Sequence, residues 1–209
     1  THISSLQRIF PESYVWMDRF TMKNLELFNS NSINGFNLSD TIDETTTSMG
    51  SRKLKSWIAF PLIDKKEIKK RQEIVQSIMS DDEISRLLDI NLNNISDIER
   101  LMSKIATYKI SPRELVNLKS SLENVDLIKD SLLVYSGVLK NYGKSLPNSK
   151  SIIREISKTL KDDSPVSIMK GDFIKDGFSK ELDGLREIRC SGKEYLNQIL
   201  ERETKKTNI

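Results

Sequence analysis

Histidine and cysteine are almost absent from these 209 residues: there is one of each, His2 and Cys190. A lone cysteine cannot close a disulfide within the chain, and a chain of this size without a cysteine framework belongs in a reducing compartment, read here as the cytoplasm. One histidine and no Cys/His pair exclude a zinc site on those ligands and a histidine-based triad. No apolar run approaches the roughly 20 residues of a membrane span. The opening stretch THISSLQRIF has neither the basic nor the apolar region of a secretion signal. It lacks an initiator methionine, and the chain closes on ERETKKTNI, so both ends are expected to be cut from a longer polypeptide.

Excess charge of one sign is also missing. The 33 basic and 30 acidic residues leave +3, far from the basic balance of a stand-alone nucleic-acid binder. The densest basic cluster, KKEIKKRQE at 65–73, carries two glutamates and sits opposite an apolar stripe, so it reads as a solvated helix face rather than a DNA surface. Eight glycines and five prolines leave few turns. Apolar residues recur at helical spacing almost everywhere, and the fold class expected is all-α: a multi-helix bundle with one long projecting C-terminal helix and a minor β-hairpin.

Helix starts are legible as serine three residues before glutamate, where hydroxyl and carboxylate each satisfy a free backbone N–H. Ser80 to Glu83, Ser96 to Glu99 and Ser111 to Glu114 fit, the last with Pro112 at the first helical position; Asp64 to Glu67 is a weaker version. Behind them run the stripes Ile68, Val75, Ile78 and Met79; Ile84, Leu87 and Leu88; and Ile98, Leu101, Met102 and Ile105. After Pro112 the seam Leu115, Leu118, Leu122, Val125 and Leu132 keeps a three-and-four spacing. Lys129 interrupts it, and Asn124 to Asp126 is a candidate break. Residues 141–150 read as a polar loop, followed by a short helix with Ile152, Ile153, Ile156 and Leu160. Residues 168–178, with Lys-Gly and Asp-Gly dipeptides, give the expected hairpin. From a Ser179 cap a helix of about 25 residues presents Leu182, Leu185, Ile188, Tyr195, Leu196 and Ile199.

Reactive constellations are scarce. The carboxylates Asp81, Asp82, Glu83, Asp97, Glu99 and Glu114 lie at helix starts, where the helix dipole explains them. GVLKNYGKS at 137–145 imitates a phosphate-binding loop but has five residues, not four, between its first glycine and Gly-Lys-Ser, and it follows a helix. Trp16 and Trp57 are expected in the core. Gly50, Leu54, Trp57 and Ile58 fall at i, i+4, i+7 and i+8, which puts a glycine on a buried face, where a close helix crossing is the plain account.

Four motifs in chain order resemble the MutS family of DNA mismatch-repair ATPases. IDETTTSMGSRKLKSWIAFPL is similar to Asp-x-Thr-x-Thr-x-Met-Gly-x-Arg-x-Leu-x-x-Trp-x-x-x-Pro-Leu, and YVWMDRFTMKNLEL to a Leu-Asp-x-x-Thr-x-Arg-Asn-Leu-Glu-Leu signature, with Lys23 in place of arginine. ISDIERL with SPRELVNL resembles Asp-x-Glu-Arg-Leu and Pro-Arg-Glu-Leu; GFSKELDGLREI resembles Gly-x-x-x-Glu-Leu-Asp-x-Leu-Arg. Lys53 departs where a second leucine is common, which suggests a shallower contact.

The resemblance implies the central core or lever domain. Residues 1–12 would end a linker from a connector domain, 13–178 would form the helical core, and 179–209 the long lever helix leading to a clamp. Gly50, Arg52, Leu54, Trp57, Pro61, Glu99, Arg100 and Leu182 would be structural, with no catalytic, cofactor or metal residue in the chain. The parent would bind mismatched double-stranded DNA, use ATP and Mg, form a homodimer, meet a MutL-like partner, and work in the bacterial cytoplasm around the nucleoid, away from membranes. The rival expectations are an interaction scaffold without a repair role, and direct DNA binding through Lys65 to Arg71 and Arg202 to Lys206.

Overall fold

Helix formation along this chain starts at capping side chains. The computed structural model describes residues 13–207, in which ten α-helices and no strand are found. His2, the 1–12 linker and Ile209 lie outside the described residues, as do the side chains of Tyr195 and Lys206. In order the helices are α1 (Arg19–Asn24), α2 (Leu38–Ile42), α3 (Ser48–Ala59), α4 (Lys65–Met79), α5 (Asp82–Asn93), α6 (Ile98–Ala106), α7 (Pro112–Val134), α8 (Gly137–Ser145), α9 (Lys150–Thr159) and α10 (Lys180–Thr207). The all-α expectation holds.

Two of the expected caps move by one residue. Asp81, not Ser80, caps α5 by accepting from the amides of Glu83 and Ile84, and Asp97, not Ser96, caps α6 through the Arg100 amide. Where serine and aspartate are adjacent, the charged acceptor meets the positive helix end better than the hydroxyl. At α7 the box forms as read: the Ser111 amide donates to Glu114 Oε2 at 2.9 Å and the Glu114 amide to Ser111 Oγ at 3.3 Å. Asp64 caps α4.

The chain divides into two compact units, one of 13–110 with Asn117–Ile153, the other of Ser111–Val116 with 154–207. In the first, Ile84 of α5 meets Ile128 and Leu132 of α7 and Leu139 of α8, with Ile74 and Ile78 of α4 against them. Fully burying each such side chain is worth about 2 kcal/mol, so this cluster sets the unit's stability. α7 runs unbroken through Asn124 to Asp126, because Asn124 Nδ2 donates to the Ser120 carbonyl and Asp126 is buried. Lys129 turns its ammonium to the Leu146 and Pro147 carbonyls at 2.9 and 3.3 Å. Ahead of α1, Tyr14 pairs with Leu62 in an isolated antiparallel bridge, and the Val15 amide donates to the Pro61 carbonyl at 2.8 Å.

Three expectations fail here. The loop expected to start at Asn141 is helical through Ser145, and the helix has a packing role: a β-carbon on Gly143 would lie 2.9 Å from the Leu132 β-carbon of α7. Trp16 is 73% exposed and Trp57 40%, so neither is core. Of the α4 stripe, Ile68 and Ile78 are half-buried while Val75 and Met79 face out, and Ile74, which lies off that stripe, packs on the core beside Ile78.

In the second unit the hairpin does not form. Residues 168–170 make one 3-10 turn, and Gly171, Asp172 and Gly177 take positive φ, which breaks the extended run a strand requires. What remains is a single antiparallel bridge, Leu160 to Ile174, flanked by bonds from the Lys161 amide to the Phe173 carbonyl and from the Lys175 amide to the Thr159 carbonyl, both 2.9 Å. Ser179 caps α10 through the Leu182 amide at 3.3 Å. At 1.5 Å per residue its 28 residues span about 42 Å. Leu185, Ile188, Leu196 and Ile199 of its stripe are exposed.

Candidate functional site

Of the residues marked in the sequence, Gly50 and Arg52 lie in the first turns of α3 and Glu99 and Arg100 in the first turn of α6. Asp43 Oδ1 accepts from the Thr45 amide at 3.2 Å and the Thr45 hydroxyl at 2.5 Å, while its Oδ2 accepts from the Ser51 hydroxyl. These hydroxyl bonds, Ser51 first, hold the Asp43 carboxyl below its usual range. Thr47 caps α3 through the Gly50 amide at 3.0 Å. The alternating acid and threonines of residues 43–47 are therefore a hydrogen-bonded lead-in that fixes where α3 begins.

Gly50 serves that lead-in. A β-carbon there would sit 3.0 Å from Thr47 Oγ1 and 3.3 Å from Thr45 Cβ. The close neighbour is thus the helix's own entry, which corrects the expected crossing with a second helix. The backbone-to-backbone approach occurs at Gly143 instead.

One turn on, Arg52 reaches α6. Its Nη1 and Nη2 donate to the two oxygens of Asp97 at 2.8 and 2.7 Å, and its Nε and Nη2 to Glu99 Oε2 at 2.9 and 2.5 Å. The planar fork meets Asp97 on one edge and Glu99 on the other, which a lysine cannot do. Asp97 also caps α6, so one acid fastens α3 and orders the first turn of α6 together. Hydrogen bonding from Arg52 pulls the Asp97 carboxyl down to about 2, and the two acids raise Arg52 above its ordinary value. Both acids are directed at a guanidinium and Asp97 stays ionised through the neutral range, so the cluster fastens elements and moves no proton.

A folded-state value depressed below the ordinary 3.9 stabilises the native chain above pH 4, and that contribution is lost as pH falls toward 2. Urea midpoints measured between pH 5 and pH 2 are expected to fall more steeply in the native chain than in Asp97→Asn, which keeps a good cap but has no charge to lose.

Arg52 and Glu99 are brought together, then, and the third member is Asp97, the aspartate of the Asp-x-Glu-Arg-Leu motif, one residue past the serine that read as the cap. Leu54 is half-buried on α3, Pro61 follows the helix and offers its carbonyl to Val15, and Lys53 is exposed. Arg100 is exposed and lends its amide to Asp97. Trp57 lies under Arg71, whose guanidinium carbon is 3.8 Å from the ring centroid.

Leu182 is half-buried in the second unit, one turn before a second arginine cluster. Arg186 Nη1 donates to Asp176 at 2.6 Å and Nη2 to the Ile174 carbonyl at 2.9 Å, with Asp183 at 3.5 Å and Asp172 at 3.8 Å. Lys161 pairs with Asp172 at 2.6 Å and holds its carboxyl below the usual range. This is the last arginine of the fourth motif, and it ties the first turns of α10 to the 172–176 segment. Because Asp172 and Asp176 are exposed, Arg186→Ala is expected to lower stability by only about 1 kcal/mol; hydrogen exchange at the first turns of α10 should quicken while exchange in α5 stays unchanged.

Residues 137–145 do not fit a nucleotide. They form a continuous helix with Gly143 pressed on α7, so their backbone cannot curl round a phosphate. Among the described residues no three His, Cys, Asp or Glu side chains group to hold a metal, and no helix is long and apolar enough to cross a membrane.

The family model for MutS domain III matches residues 20–208. This chain belongs to the MutS domain III family. It is 45% identical to the DNA mismatch repair protein MutS of Christiangramia forsetii, 46% to that of Flavobacterium johnsoniae and 42% to that of Bacteroides thetaiotaomicron, in each case over the whole chain and 24% of the relative. The chain therefore spans about a quarter of the length of these relatives. In this chain the motif residues form two adjoining hydrogen-bonded sets, Asp43, Thr45 and Thr47 at the entry to α3 and Arg52, Asp97 and Glu99 between α3 and α6.

Proposed function

We propose that the chain is the core and lever part of a DNA mismatch repair protein and works by transmission rather than reaction. The observation that carries this reading is the match over all 209 residues to proteins named DNA mismatch repair protein MutS. The Arg52 junction supports it: a fork with four hydrogen bonds across 45 and 47 residues of sequence resists shear between α3 and α6.

In this reading residues 1–12 end a linker, 13–178 form the core, and 179–209 form the lever helix toward a clamp. Gly50, Arg52, Leu54, Trp57, Pro61, Glu99, Arg100 and Leu182 are structural. The parent binds mismatched double-stranded DNA, hydrolyses ATP with Mg in another domain, forms a homodimer, engages a MutL-like partner and works in the bacterial cytoplasm. The present chain is not itself an enzyme. Coupling needs an element with two arrangements that both sites bias, and the Arg52 clasp is the contact that would be made in one and loosened in the other.

The test is made in the full-length protein. Stopped-flow release of mismatched DNA on ATP addition should slow about tenfold in Arg52→Ala, with ATP hydrolysis in the absence of DNA changed less than twofold. An unchanged release rate rejects the transmission role for this junction.

A further inference from the structure

Beside the Arg52 junction, on the other flank of α3, the first unit has a groove of about 600 Å³ bounded by Trp57 of α3, Lys70, Arg71 and Val75 of α4, and Val138 and Tyr142 of α8. Its walls are half-exposed: Trp57 by 40%, Tyr142 by 53% and Val75 by 55%. Trp, Tyr and Arg are the residue types that dominate the energetics of binding surfaces, because each covers a large area and adds a directed polar or cationic contact.

Charge narrows the occupant. Glu67 at the rim is paired with Lys70 at 3.8 Å. Arg71 has the Trp57 ring as its recorded partner, and among the described residues no carboxylate lies within ion-pair distance of it. A half-buried guanidinium resting on an indole, with its N–H donors free of any acid, is matched by a carboxylate arriving from outside. The apolar floor asks for aliphatic side chains beside that carboxylate, at the i, i+3 or i+4 spacing of a helix laid in a groove.

We infer that this groove receives an acidic, amphipathic helical segment of the same polypeptide lying beyond these 209 residues, its carboxylate on Arg71 and its apolar face on Trp57 and Val75. The source follows from length: the matched relatives are about four times as long as this chain, and a tethered segment has an effective concentration that a free partner lacks. The inference rests on the reading that the chain is one part of a longer repair protein.

The experiment places the photoreactive residue p-benzoylphenylalanine at Tyr142 of the full-length protein and maps the cross-linked peptides. The expected product joins position 142 to an Asp- or Glu-bearing peptide of the same polypeptide outside residues 1–209, with a yield independent of protein concentration. Arg71→Glu should lower that yield about tenfold, whereas Lys66→Glu, which does not line the groove, should leave it within twofold. A cross-link between two copies, to another protein, to residues 1–209 or to nothing overturns the inference, as does a yield that Arg71→Glu leaves intact. ATP-driven DNA release that keeps its dependence on Arg52 in that event would leave the transmission reading standing.

Discussion

Gly143→Val should destabilise the first unit by about 3 kcal/mol, the largest single effect expected on this fold. The first atom added at Gly143 meets the Leu132 β-carbon at 2.9 Å, then the Leu132 carbonyl carbon and Leu133 nitrogen at 3.4 Å. None of these is the free end of a flexible side chain. The clash must therefore be relieved by moving α8 off α7, which opens the cluster of Ile84, Ile128, Leu132 and Leu139. Gly184→Ala supplies the contrast: it too is helical, but nothing lies within 4 Å of the added carbon, so the gain in helix propensity is expected to raise stability by up to about 1 kcal/mol. Urea midpoints of the two variants should move in opposite directions. Equal shifts would mean that α8 does not pack on α7 at Gly143.

Arg52→Ala is the second large effect, a lowered urea midpoint together with the tenfold slowing of DNA release described above. The stability loss comes less from the ion pair, since Arg52 and Glu99 are exposed, than from leaving Asp97 at 17% side-chain exposure without its fork. Arg52→Lys should recover less than half, because an ammonium cannot meet both oxygens of Asp97 and Oε2 of Glu99 at once. Full recovery by lysine would show that charge, not geometry, holds α3 to α6.

The two variants also show where the amino-acid pattern was informative. Helix existence was legible because caps and stripes are local: Ser111 with Glu114, the Leu118 seam and the Ser179 start appear where the pattern placed them. What local pattern cannot supply is the partner across space. A glycine announces that something comes close but not what, so Gly50 read as a helix crossing when its neighbours are Thr45 and Thr47, while Gly143 read as part of a loop when it is the crossing. Trp57 read as core because aromatic residues usually are; here a guanidinium stacks on its ring and both side chains line a groove.

The Arg52 junction was half legible. The motif resemblance marked Arg52 and Glu99, but the pairing depends on the start of α6 coming within reach of the Arg52 side chain, which sequence spacing does not encode. Asp97 was named too, as a carboxylate at a helix start and as the first residue of Asp-x-Glu-Arg-Leu, but the cap was assigned to the neighbouring serine, whose signal is as strong in pattern and weaker in charge. Arg186 stood in the fourth motif, but its four oxygen partners, at 172, 174, 176 and 183, come mostly from a segment that read as a hairpin.

The transmission account is tested most directly by one ratio in the full-length protein: the dissociation constant for mismatched duplex with ATP divided by that without it, compared between the native chain and Arg52→Ala at a temperature where both are folded. The account predicts that the variant's ratio falls about tenfold toward one while each protein still binds the mismatch without nucleotide. An undiminished ratio in a variant shown to lack the α3 to α6 clasp would contradict it.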